Sequence, residues 1–117
     1  LCRVPGLDGV YAAGDATDFP IKFGGIAAQQ ADVAAQSIAA LAGLALPPAP
    51  FSPELRAVLL TGDRPLLLSA QVGGRTGAHS QVVEAPNWSP SAKIAAKYLA
   101  PYLHELDRAA RTSQSEP

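Results

Sequence analysis

In the stretch VYAAGDAT, residues 10–17, small and apolar residues run straight into Gly14 and the carboxylate of Asp15. Glycine lets a backbone turn sharply or come close to a bound molecule. A carboxylate delivered at the end of a buried strand accepts strong, charge-assisted hydrogen bonds, well suited to a sugar or polyol hydroxyl. Farther along, Gly24, Gly25, Ile26 and Ala27 stand where a helix begins. With no bulky side chain in that first turn, a ligand can sit on free N–H groups at the positive end of the helix dipole. The two features together would hold a molecule with hydroxyls and an electron-rich carbonyl edge, as reduced flavin has. Spacing alone leaves a second reading open, in which the Gly-Asp turn only caps the helix.

Other residues with reactive side chains carry less. Cys2 is the only cysteine, so there is no internal disulfide, no CxxC redox pair and no cysteine-rich zinc site. It reads as a packing residue. His79 and His104 are far apart in the chain with no second ligand near either, so no metal site is expected. Trp88, Tyr98 and Tyr102 have the spacing of core aromatics rather than of a substrate or quinone pocket.

These candidates need elements to position them. Residues 9–13 read as a short buried strand, continuously apolar as in a parallel sheet covered on both faces. Residues 25–44, rich in alanine, are the strongest helix signal, with Ile26, Val33, Ala34, Ile38 and Leu41 on one side and Gln29, Asp32 and Gln36 on another. Three prolines among residues 47–50 then mark a boundary. Beyond it, residues 55–61 and 65–72 predict an antiparallel hairpin around Gly62-Asp63-Arg64, followed by a glycine-rich mobile loop and a third short strand at 81–84. A last helix is expected from Ser89 as N-cap and Pro90 at its first position. Ile94, Tyr98, Leu99, Tyr102, Leu103 and Leu106 form its apolar side, Pro101 kinks or divides it, and the polar tail from Thr112 frays.

Composition narrows the class of function. Of 117 residues, 48% are hydrophobic and 16% charged, so the chain is expected to fold, and a net charge of −1 without any Lys/Arg stripe argues against a nucleic-acid partner. No apolar run reaches the ~20 residues of a membrane span. The chain opens at Leu1 rather than at methionine, which reads as a segment of something longer.

Residues 5–40, PGLDGVYAAGDATDFPIKFGGIAAQQADVAAQSIAA, resemble the second flavin-binding motif of the FAD-dependent pyridine nucleotide-disulfide oxidoreductases. Pro20, Lys22, Gly24-Gly25 and Gln29-Gln30 make the pattern more similar to the branch containing sulfide:quinone oxidoreductases and type II NADH dehydrogenases. The resemblance implies that Asp15 binds the ribityl chain of FAD, with Gly14 allowing the approach. It implies that Gly25, Ile26 and Ala27 present N–H groups to the pyrimidine edge of the ring, and that Lys22 adds positive charge near the ring or the electron acceptor.

The family's GxGxxG fingerprint and its second nucleotide-binding unit do not occur in these residues. The resemblance therefore implies an α/β piece, the end of a Rossmann-like FAD-binding domain over 1–46, followed by a small α+β C-terminal domain over 47–117. The intact enzyme would pass electrons from NAD(P)H or sulfide through FAD to a quinone or another acceptor. The segment alone is expected to be inactive, not to retain FAD, and to form a homo-oligomer through the surface it exposes. The expected location is cytoplasmic, with peripheral contact at the inner membrane face open to it. The competing expectation is a non-catalytic oligomerisation or interaction module.

Overall fold

The computed structural model describes residues 2–47, 49–73, 79–88 and 94–113. Alanine-rich sequence forms helix α1, Gly24–Leu41. It stops where Gly43 takes a φ of +86°, a left-handed conformation that glycine adopts without a side-chain clash. The Leu44 N–H then bonds the Ala39 carbonyl at 3.0 Å and the Gly43 N–H bonds that of Ala40 at 3.1 Å, satisfying the helix's last acceptors.

Ile26, Val33 and Ala34 are buried, as the wheel predicts, but the rest of the stripe differs. Ile38 and Leu41 are 51% and 70% exposed, while Gln30, Gln36 and Ser37 are buried. The reason lies in what α1 packs against. Its first half meets the Gly14–Ala16 turn and the edge of the sheet, whose backbone groups Gln30 and Gln29 bond. Farther along, Gln36 donates to the Tyr98 hydroxyl and accepts from the Ala49 N–H, and Ser37 donates to the Val33 carbonyl. The end of α1 extends past both the Gly14–Ala16 turn and the sheet.

Three strands form one antiparallel sheet in the order β1 (Glu54–Leu59), β2 (Leu66–Gln71), β3 (Ser80–Val83). Leu55, Ala57 and Leu59 oppose Ala70, Leu68 and Leu66, so these residues share an apolar face. Arg56 opposes Ser69, which opposes Gln81, on the other face. The hairpin forms as expected, but its connection is longer than a tight turn. It spans residues 60–65, with Gly62 at φ +87° and the Thr61 hydroxyl donating to the Arg64 carbonyl at 2.8 Å.

Helix α2 is Leu99–Ser113. It begins later than the sequence suggests, and Ser89 and Pro90 lie outside the described residues, as do most of the glycine-rich loop (74–78) and the end of the tail (114–117). Pro101 does not divide it. The first N–H to find a helical acceptor is that of Tyr102, bonding the Tyr98 carbonyl at 3.3 Å. Pro101 therefore falls in the opening turn, where an N–H has no intrahelical partner to lose.

The largest departure is at the beginning of the chain. No strand forms at residues 9–13; instead Tyr11 makes an isolated antiparallel bridge with Arg3. The Val4 N–H bonds the Val10 carbonyl and the Ala12 N–H bonds the Cys2 carbonyl, both at 2.9 Å. Val10 is 42% exposed. A strand needs at least one neighbour to pair with, and among the described residues this segment pairs only with residues 2–4 of its own chain, in the antiparallel sense.

Among the described residues the resulting architecture is a small α+β fold of two α-helices and a three-stranded antiparallel sheet. Its Cα radius of gyration, 16.8 Å, exceeds the roughly 13 Å expected for a compact chain of about this size. Leu99, Tyr102 and Leu106 on α2, Tyr98 just before it, Leu59 and Val82 on the sheet and Leu60 just after β1 stay exposed. No helix among the described residues is long and apolar enough to cross a membrane.

Candidate functional site

Gly14 sits at φ +73°, opening a 3-10 turn, Gly14–Ala16. A side chain there would be strained by the left-handed backbone, and its Cβ would lie 3.4 Å from the Cβ of Ala27. The glycine thus brings the turn against the first turns of α1. The Gly14 N–H donates to Oε1 of Gln30 at 2.6 Å. Nε2 of Gln30 reaches Oγ1 of Thr17 at 3.3 Å, and the Thr17 hydroxyl donates to the Gly14 carbonyl at 2.8 Å.

Asp15, the next residue, is exposed. Among the described residues its carboxylate has no hydrogen-bond or ion-pair partner; only its main-chain carbonyl is bonded, by Nζ of Lys22 at 3.3 Å. The same ammonium also bonds the Thr17 carbonyl. Lys22 therefore brings its positive charge to the carbonyl side of the turn.

The start of α1 leaves its first N–H groups without a side-chain acceptor. Its N-cap, Phe23, has no capping side chain, and there is no acidic residue in the first turn. The first helical bond runs from the Ala27 N–H to the Phe23 carbonyl at 2.9 Å, so the N–H groups of Gly24, Gly25 and Ile26 precede the intrahelical ladder. Gly25 and Ile26 are themselves buried, Ile26 as the most deeply enclosed apolar side chain among the described residues, and because glycine is all backbone the burial of Gly25 encloses its main chain. The Ala27 N–H, expected to face a ligand, is instead taken up by the Phe23 carbonyl.

Among the sequence candidates, Gly14, Asp15, Lys22 and Ala27 come together around one turn, and Gly25 and Ile26 open the helix that supports it. Sequence reasoning missed Gln30 and Thr17 as partners of Gly14. A signal was present: Gln30 stands one helical turn after Ile26 and one before Val33 and Ala34, a polar residue on the apolar stripe.

Beside the turn lies a cleft of about 510 Å³, walled in part by Cys2, Arg3, Ala12, Thr17 and Phe51. Asp15 and Lys22 are not among its walls. Phe51 meets Phe19 edge-on, with ring centroids 5.3 Å apart. Burial pushes the Cys2 thiol above its ordinary pKa, which disfavours the reactive thiolate.

Comparison of the chain with protein-family models, curated proteins and solved structures finds no match.

The remaining candidates sit elsewhere. The Arg56 guanidinium lies over the Trp88 ring, 5.0 Å from its centroid, and is paired with Glu54. Tyr98 and Tyr102 are 45% and 57% exposed, against the expectation of core positions. They edge a shallow apolar groove with Ala28, Ala31 and Ala35 of α1. Among the described residues no three His, Cys, Asp or Glu side chains gather as a metal site would require.

Proposed function

We propose that this chain is the C-terminal part of an FAD-dependent oxidoreductase and contributes flavin contacts plus a small C-terminal domain. The observation that carries the reading is the presence, on neighbouring elements, of an exposed Asp15 carboxylate without a partner among the described residues and of the uncapped start of α1. The fit of the residues to a flavin is chemical. Asp15 supplies an acceptor for ribityl hydroxyls, Gly14 removes the side chain that would block approach, and Gly25, Ile26 and Ala27 belong to a helix start with positive electrostatic character. The Gly-Asp and Ala/Gln-rich sequence pattern of residues 5–40 favours the same assignment and a Rossmann-like origin for the first part, while the strand that such an origin calls for is replaced here by the Arg3–Tyr11 bridge.

When bound, FAD supplies electron transfer between a donor, NAD(P)H or sulfide, and a quinone or another acceptor. The chain's own residues bind and orient. Asp15 holds hydroxyls, the N–H groups opening α1 favour negative charge at a carbonyl edge, and Lys22 adds a cation beside the Asp15 peptide. None of them acts as a nucleophile or a general base.

The uncovered apolar faces of α2 and the sheet favour a second reading, a homo-oligomerisation or interaction module in which the Gly-Asp turn is structural. One experiment separates them. The purified intact protein is expected to show flavin absorption and to release FAD on heating; a colourless protein unaltered by FAD titration would leave only the interaction module.

A further inference from the structure

We propose that Gln30 is a positioning residue that acts on the cofactor through Asp15; the inference rests on the flavin reading above. Four groups close a ring of hydrogen bonds. Oε1 of Gln30 accepts from the Gly14 N–H, Nε2 of Gln30 donates to Oγ1 of Thr17, and the Thr17 hydroxyl and N–H both donate to the Gly14 carbonyl, at 2.8 and 3.1 Å.

A planar amide is the side chain that offers an acceptor and a donor at once without a charge. That matters because Gln30 is only 3% exposed, where an unpaired polar group or a carboxylate would be costly. The ring holds both main-chain groups of Gly14 and so fixes the peptide from which Asp15 departs. Lys22 grips the same turn by its Asp15 and Thr17 carbonyls. Asp15 itself makes no side-chain contact among the described residues, so this backbone is what sets the direction in which its side chain leaves the turn. A carboxylate aimed in advance loses less freedom on binding a hydroxyl than one on a loose turn.

A merely structural glutamine would also lower stability when removed, so the test must read coupling. In the intact protein, FAD dissociation constants are measured for Asp15→Ala, Gln30→Leu and the double variant. Gln30→Leu is expected to weaken binding about tenfold, Asp15→Ala by about tenfold to a hundredfold, and the double variant to be no weaker than Asp15→Ala alone, because Gln30 has nothing left to aim. Thr17→Val, which cuts the other end of the ring, is expected to behave as Gln30→Leu does and serves where that variant fails to fold. Losses that multiply in the double variant, or unchanged affinity in both Gln30→Leu and Thr17→Val, overturn the positioning role while leaving the flavin reading intact. A wild-type protein that binds no FAD overturns both.

Discussion

The side-chain amide of Gln29 pairs with the backbone of Glu54 in both directions, its Nε2 donating to the Glu54 carbonyl at 2.7 Å and its Oε1 accepting from the Glu54 N–H at 2.9 Å. Glu54 is the first residue of the edge strand β1, so the amide stands in for a neighbouring strand's peptide group. Its neighbour Gln30 holds the Gly14 turn. Consecutive glutamines on α1 thus tie the candidate site to the sheet.

Gln29→Leu removes both bonds and leaves a partly buried peptide group to find other partners. The expected cost is about 1–3 kcal/mol, read as a lower denaturation midpoint with an unchanged denaturant dependence. An unchanged midpoint would mean that water satisfies the β1 edge equally well.

Pro101 gives the opposite expectation. Because it lies in the first turn of α2, Pro101→Ala should alter stability by well under about 1 kcal/mol, whereas Leu103→Pro, inside the helix, should cost about 3 kcal/mol of helix stability. Helical circular dichroism of the two variants checks this. A large loss with Pro101→Ala would show that the proline itself orders the turn.

The Cys2 thiol offers a test by pH. Burial raises its pKa in the fold, so the fold favours the protonated form. That contribution to stability is fully present below the unfolded thiol's pKa and is lost as pH rises through the higher folded value. At neutral pH, alkylation should therefore be slower in the folded than in the denatured chain, the gap closing at strongly alkaline pH. Equal rates at neutral pH would contradict the burial.

Much of the fold was legible because its signals are local. The hairpin follows from apolar runs around Gly62, and α1 from an alanine-rich run, although the helix expected over 25–44 ends at Leu41, where the chain turns at Gly43. What was not legible depends on neighbours. Residues 9–13 have the composition of a parallel strand, yet a strand exists only beside another, and Tyr11 finds only Arg3. Ile38 and Leu41 are apolar on the wheel but have nothing to cover them, while Gln30 and Gln36 are polar and buried because backbone and hydroxyl groups meet them. For the site, the chemistry of Gly14 and Asp15 could be read in the sequence. The ring that holds them could not, since Thr17 and Gln30 meet only after the chain turns.

The central claim is that Asp15 grips a flavin cofactor. It is tested most directly by the FAD dissociation constant of the intact protein with Asp15 and with Asp15→Ala. Loss of a charge-assisted hydrogen bond, worth about 1.5–3 kcal/mol, predicts affinity weaker by about tenfold to a hundredfold. An Asp15→Ala protein that binds FAD as tightly as the unaltered one would contradict the account.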